Sequence, residues 1–500
     1  MSGHGPKPEG FRTIPTWEVA KQPAERPRKP AAPHPATKKT LRELGIVEVP
    51  DEHKIQVALE RLKEQIKERR SYMLAMESCV KCGLCQENCH TFLGTRDPDD
   101  SPVGRADLIR KVWKRYFTVQ GRLFGKLVGA EDLTLETLQK WYAYFYHCTE
   151  CRRCGHVCPF GIDTCEVTML GRQVLFWLGM IPALHADTDV AILKSGNHMK
   201  LTKAGAIDTL EFLSDEIEEE RGFRVEFPVD KPDSDIVYVP SSADFMLNPD
   251  TLKGAALFFE YIGANWTILS TMTEAGNFGF LSDQYRVQRE LYRRLLEGAK
   301  QLGAKKIIWG ECGHGWRAAK LYMRTMADMN NWWHIPVVHI HDEIATYIAT
   351  NQLELDPSRI PQPATLHDPC NYARACGHTD NMRIIIKACV SDFREMQPNR
   401  EKNFCCGGGS GVLFDDPEMY PMRIRFSQKK AEQVRATGVA DGAEPGILCA
   451  PCSICKAQLY PMVDEHELNV EVKGLLDLVG KALVFRGKER LGGTNNEKNQ

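Results

Sequence analysis

The sequence has no long apolar run and almost no net charge. Its longest apolar stretch, QVLFWLGMIPAL (Gln173–Leu184), is interrupted by Pro182 and falls short of the ~20 residues that cross a bilayer. The first residues, MSGHGPKPEGFRTIPTWEV, lack the apolar h-region of a secretory signal. A chain with no transmembrane segment of its own is expected, so membrane attachment must come through a partner. The formal charge of −2 over 500 residues gives no electrostatic case for nucleic acid. Hydrophobic content of 43% and charged content of 26% are ordinary for globular protein, and the length calls for several domains.

Cysteine is the residue in excess, at 18. Many cysteines in a large chain without secretory features point to thiolates that bind metal rather than to a disulfide framework. Eight of them form two tight motifs. CVKCGLCQENC supplies Cys79, Cys82, Cys85 and Cys89; CTECRRCGHVCP supplies Cys148, Cys151, Cys154 and Cys158. The spacing suits two [4Fe–4S] cubanes, each held by three thiolates of one loop and a fourth from the other motif. This assigns Cys79, Cys82, Cys85 and Cys158 to a first cluster, and Cys148, Cys151, Cys154 and Cys89 to a second. Zinc prefers separated CxxC pairs in tetrahedral sites and fits these runs poorly. The first motif ends in His90 where proline is common. A helical insertion of 58 residues separates the motifs, which suggests a ferredoxin module of the helical type.

From Asp233 the texture changes to short β-rich runs alternating with helical stretches: DIVYV, WTILS, KKIIW, PVVHI, ATLHD, GILCA and LNVEV. Such alternation argues for α/β units. This half also reads as a duplication. Val237–Phe245 lies over Thr365–Ala373, Thr273–Asp283 over Cys405–Asp415, and Ile307–Lys320 over Ile447–Leu459. The alignment sets Ser242 on Cys370, Thr273 and Glu274 on Cys405 and Cys406, Cys312 on Cys452, and Gly315 on Cys455. The second copy therefore carries a full cysteine set and the first is degenerate.

Within the second copy lies NFCCGGGSG (Asn403–Gly411). Consecutive Cα atoms are only about 3.8 Å apart, too close for an unstrained disulfide. Two adjacent thiolates instead suit two irons of one cluster, and the glycines after them remove side chains and are expected to leave an opening there. Cys370, the CCG triplet and the later CAPCSIC run (Cys449, Cys452, Cys455) together resemble the CCG domain of heterodisulfide reductases and related iron–sulfur oxidoreductases, from about Ile236 to Leu478. With the ferredoxin motifs and a basic, Pro-rich N-terminus, the chain resembles the K subunits of Dsr membrane complexes, relatives of the catalytic subunit of membrane-bound heterodisulfide reductase.

The resemblance implies an α+β multidomain fold. Its parts are an extended tail (1–50), a helical ferredoxin module (51–185), a helical linker (186–232), a degenerate CCG lobe (233–361), a complete CCG lobe (362–485) and a flexible C-terminal tail (486–500). It further implies a non-cubane [4Fe–4S] cluster on Cys370, Cys405, Cys406, Cys452 and Cys455, with Cys449 as a substitute ligand. It implies a subunit on the cytoplasmic face of the membrane, held by a cytochrome b-type partner. Electrons would pass between quinone and the two cubanes, then to a disulfide or trisulfide on a small sulfur-carrier protein of the DsrC type, in dissimilatory sulfur metabolism. A pure electron-transfer subunit linking a glycolate- or glycerol-3-phosphate-type flavin dehydrogenase to quinone is the alternative. Cys165, Cys389 and Cys312 are expected to be structural thiols. His367 and His314 lie near cysteines in the sequence and are candidate proton donors. The pair Trp332–Trp333 is expected to pack in a core or interface.

Overall fold

The computed structural model describes residues 29–271, 274, 276–281, 285–326, 335–412 and 417–488. Trp332, Trp333 and Thr273 lie outside these residues, as do positions 1–28 and 489–500.

The N-terminal half is helical. Its principal helices are Asp51–Glu68, Pro102–Phe117, Leu135–Tyr146 and Thr164–Trp177. Local chemistry sets their starts. Ser101, Thr134 and Asp163 cap the last three by accepting backbone N–H bonds, and Pro102 occupies the first turn of its helix, where its missing donor costs nothing. The helices meet on Leu62, Ile109, Trp141, Phe145, Leu170 and Val174, all buried.

The described part of the N-terminal tail packs on the module and includes one short helix. Lys38–Glu43 form a helix whose Leu41 is buried, and Leu44 and Ile46 join the same apolar cluster with Phe176 and Ile181. The carbonyl of Ala31 meets His147 Nε2 at 2.8 Å, and Tyr142 donates to the Pro33 carbonyl at 3.0 Å. Residues 29–50 thus supply acceptors to otherwise buried polar groups, which explains why this Pro-rich stretch lies down on the module.

The C-terminal half contains two parallel sheets. Strands β1 (Ile236–Val239), β2 (Trp266–Ile268), β3 (Lys306–Trp309) and β4 (Val337–His339) lie in the order β2-β1-β3-β4; β5 (Ala364–Leu366), β6 (Gly446–Cys449) and β7 (Val470–Lys473) lie in the order β5-β6-β7. All seven expected β-runs are strands. Most of their apolar residues are buried in the core, with Ile236, Val337 and Val338 partly buried against it. The order repeats between lobes: β1 lies between β2 and β3, and β5 lies between a single parallel bridge at Phe393 and β6. The central registers differ by one residue, with Val237 opposite Ile307 but Thr365 opposite Leu448. One apolar core serves both lobes. Helix Pro249–Tyr261 of the first packs on helix Leu475–Ala482 of the second so closely that a Cβ on Gly254 would lie 2.0 Å from the Leu476 carbonyl oxygen.

Candidate metal centres

All 18 cysteines are free thiols, and fourteen of them gather in three places. The first is a cavity lined by Cys79, Cys82, Cys85 and Cys158, with Val103, Pro159, Phe160 and Ile162. Cys79 follows the helix Arg70–Ser78, Gly83 turns the loop at φ +82°, and Cys85 lies on the short helix Leu84–Glu87. Cys158 arrives from the second motif as the C-cap of Arg153–Val157. This cavity faces outward: Cys82 is exposed, and so are Val80, Leu84 and Phe160. Burial, helped by the neighbouring sulfurs of Cys154, Cys89 and Cys79, pushes the Cys85 thiol up to about 12.

A second cavity is lined by Cys89, Cys148, Cys151, Cys154 and Cys165, with His90, Arg105 and Arg153 in its wall. Sequence alone makes Cys165 a remote structural thiol. Its Sγ instead lies 3.9 Å from that of Cys154, and its contact holds the Cys148 and Cys154 thiols below the usual range. The Asp163 cap starts a helix at Thr164 and so aims Cys165 inward. Arg105 is buried, reaches Cys89 Sγ at 3.7 Å and supplies positive charge beside it. His90 stands between Thr149 Oγ1 (3.0 Å) and Cys151 Sγ (3.9 Å), a use for the residue that replaces the customary proline.

The third gathering is in the second lobe. Cys370 opens the helix Cys370–Cys376 directly after β5, and Cys452 and Cys455 stand at the start of Ser453–Glu465 directly after β6. Adjacent parallel strands thus deliver these thiols to the same sheet end, where α/β folds place their sites. Cys405 and Cys406 come from the glycine loop. Each of the five is at most 4% exposed. Cys406 Sγ lies 3.5 Å from Cys455 Sγ, Cys405 contacts Cys370, and Cys455 contacts Cys452. Cys405, through its sulfur neighbours and burial, is held well above the usual thiol range, while contacts from Cys405 and Cys455 hold Cys406 well below it. Cys449 ends β6 with its thiol toward Glu311, Asp477 and Cys389, away from this group. Cys389 is buried at the end of its own helix, and Cys376 is partly buried and apart from the five.

Buried cations balance this sulfur-rich site. Lys430 is fully buried, bonds to Asn403 and Gln433, and is pulled down to about 7 by burial against the attraction of Asp368, Cys406, Cys405 and Cys455. Arg383 clamps Asp368 at 2.8 and 2.9 Å, fixing the turn between His367 and Cys370. Close-set buried thiols with no carboxylate among them fit an iron–sulfur centre, because dry thiolates are costly unless a metal neutralises them.

Among the described residues the glycine loop is covered by its neighbours rather than open. Residues 403–410 are all buried. A Cβ on Gly409 would sit 2.9 Å from the Thr149 carbonyl oxygen and 3.1 Å from His314 Nε2; one on Gly411 would sit 1.7 Å from His185 Nε2. The missing side chains admit the ferredoxin module on one side and the first lobe on the other. Arg172, wholly buried, fastens the join by donating to Ser410 Oγ at 2.6 Å, Cys148 O at 2.8 Å and Phe145 O. Arg374 donates to the carbonyls of Cys151 and Asn403. The second and third thiol sets meet here, at the contact of Cys151 with Cys405.

In the first lobe a carboxylate stands where the second has sulfur. Glu274, fully buried, accepts from the Ser242 N–H at 3.1 Å and from its hydroxyl at 3.2 Å, and lies beside Cys312. A Cβ on Gly315 would fall 2.6 Å from Glu274 Oε1. Ser242, Glu274, Cys312 and Gly315 occupy the positions of Cys370, Cys406, Cys452 and Cys455, so this lobe retains one thiol.

Residues 75–162 match the 4Fe-4S dicluster domain family, and residues 364–460 match the family described as Cysteine-rich domain, CCG. Over 468 residues, 86% of this chain and 83% of the relative, the sequence is 32% identical to the Hdr-like menaquinol oxidoreductase iron-sulfur subunit of Archaeoglobus profundus. The chain belongs to this family of Hdr-like iron–sulfur subunits. Iron-sulfur subunit 2 of Archaeoglobus fulgidus is similar to the same degree over the same coverage. A subunit of the dihydromethanophenazine:CoB--CoM heterodisulfide reductase of Methanosarcina mazei is 25% identical over 83% of this chain and 96% of its own. As a member of this family the chain is an iron–sulfur oxidoreductase subunit. No helix among its described residues is long and apolar enough to cross a membrane.

Proposed function

We propose that this chain is the catalytic iron–sulfur subunit of a membrane-bound complex that exchanges electrons between the quinone pool and an S–S bond. The first donor set (Cys79, Cys82, Cys85, Cys158) and the second (Cys148, Cys151, Cys154, Cys89) would each hold a [4Fe–4S] cubane. Cys370, Cys405, Cys406, Cys452 and Cys455 would hold a non-cubane [4Fe–4S] centre. Bound there, iron–sulfur groups supply one-electron redox capacity and, at the third site, an iron that sulfur can bind.

The observation that carries the reading is the continuity of the thiols. Cys85 lies against the second set, and Cys151 of that set touches Cys405 of the third. The outward-facing first set suits exchange with a cytochrome b-type membrane partner, and the buried third set suits chemistry away from water. Reducing a disulfide takes two electrons and two protons and releases two thiols; reducing a trisulfide takes four of each and releases two thiols and hydrogen sulfide, and oxidation is the reverse. A small sulfur-carrier protein of the DsrC type is the proposed substrate, and the cytoplasmic face the proposed location. The names of the relatives support the quinol and heterodisulfide halves of this reading.

The test is EPR on the anaerobically purified chain with and without a small thiol and a carrier disulfide. A signal altered by thiol in the parent and absent from Cys405→Ala supports the reading. A third signal indifferent to thiol leaves a subunit that only transfers electrons.

A further inference from the structure

His367 follows β5 and is completely buried. Its backbone is fixed, the N–H donating to the Cys449 carbonyl at 2.8 Å, and the next residue is held by Arg383. Its ring has no such anchorage: outside the thiol set, where Cys406 is its neighbour, neither Nδ1 nor Nε2 has a hydrogen-bond partner. An orphaned polar group in a dry interior is rare and calls for a partner of some kind. The ring is aimed into the third thiol set, where one nitrogen, Cys406 Sγ and Cys455 Sγ all lie within 4.8 Å of one another. Three soft donors at that spacing surround a point that suits a single metal ion. His314, by contrast, approaches the same set from the first lobe with Nδ1 3.9 Å from Cys452 Sγ, farther round the group.

We propose that His367 is a protein ligand of the third centre, binding iron through its imidazole beside Cys406 and Cys455. The five-cysteine set thereby becomes a mixed sulfur and nitrogen set. A neutral imidazole adds no negative charge, so the centre gains a donor without the cost of a further buried thiolate.

The inference rests on the reading that these thiols hold iron, and the experiment separates the two. The full chain is produced with 15N-histidine and with natural-abundance histidine, and the third centre's EPR signal is measured by electron–nuclear double resonance. The expected result is a strong nitrogen coupling that changes with the isotope, vanishes in His367→Gln and survives in His314→Gln. The midpoint potential of that centre should also shift in His367→Gln, because its donor set changes. An iron-bearing third centre without histidine coupling overturns the ligand assignment alone, as does coupling that persists in His367→Gln. A second lobe that carries no iron overturns both. The labelling measurement on the parent needs no variant, so it stands even if His367→Gln fails to fold.

Discussion

Replacing Gly411 with alanine tests whether the glycine loop is a seat for its neighbours. The added methyl would lie 1.7 Å from Nε2 and 2.6 Å from Cδ2 of His185. The ring cannot easily turn away, since it packs edge-on against Tyr146 at 5.2 Å and near Phe278 at 6.4 Å. Gly411 also has φ +77°, a left-handed conformation that costs a residue with a side chain about 1–2 kcal/mol. Overpacking a tight interior adds about 1–3 kcal/mol, for a total of about 2–5 kcal/mol. Gly129→Ala is the control: its φ is +71° and nothing lies within 4 Å of the new Cβ, so it carries the backbone cost alone. Denaturant unfolding of the cluster-loaded chain should show Gly411→Ala losing clearly more stability than Gly129→Ala. The third centre's EPR signal should be disturbed as well, because the displaced loop carries Cys405 and Cys406. Equal losses in the two variants, with that signal unchanged, would refute the packing argument.

Cys405→Ala should abolish disulfide turnover while both cubane EPR signals remain, since Cys405 belongs to the third set; retained turnover would remove that set from catalysis. Arg172→Met should destabilise the chain by about 3–5 kcal/mol, because it strands the buried Glu150 carboxylate 3.2 Å away and several carbonyls; a thermal melt checks this, and a loss below about 1 kcal/mol would mean that Arg172 is dispensable. Burial, with Arg172 nearby, lowers His185 to about 3, so the folded chain keeps it neutral while the unfolded chain protonates it below about pH 6.5. Its contribution is therefore full above pH 6.5 and is lost as pH falls toward 3, amounting to about 2 kcal/mol by pH 5. His185→Phe should flatten the fall in unfolding midpoint between pH 7 and 5, and an unchanged slope would count against this assignment. Cys165→Ser should leave the second cubane present but shift its midpoint potential, since this sulfur touches Cys148 and Cys154; an unaltered potential would return Cys165 to a purely structural role.

The strands and the metal-binding character are legible in the sequence because both are written in local pattern. Alternation of β-rich and helical runs locates all seven strands, and the CxxC spacings mark the loops that reach a cluster. The aligned copies also locate the first lobe's decayed site, where Glu274 takes the space of a sulfur. Long-range placement is not legible. Cys165 stands outside both ferredoxin motifs, and only the fold of the Asp163-capped helix brings it to Cys154. The glycines of the CCG loop read as an opening because their neighbours, His185, Thr149 and His314, come from three distant segments. The tail at 29–50 looks unstructured by composition, yet it provides acceptors for His147 and Tyr142, a need the sequence does not display. His367 lies close to Cys370 in sequence, but its partners in space are Cys406 and Cys455.

The central claim is that the second lobe bears a third redox centre in addition to the two cubanes. It is tested most directly by counting iron and acid-labile sulfide per chain in anaerobically purified protein, alongside zinc. Three [4Fe–4S] groups predict about twelve irons and about twelve sulfides, with Cys405→Ala falling toward about eight of each. About eight irons in the parent, or zinc in place of the remainder, would contradict it.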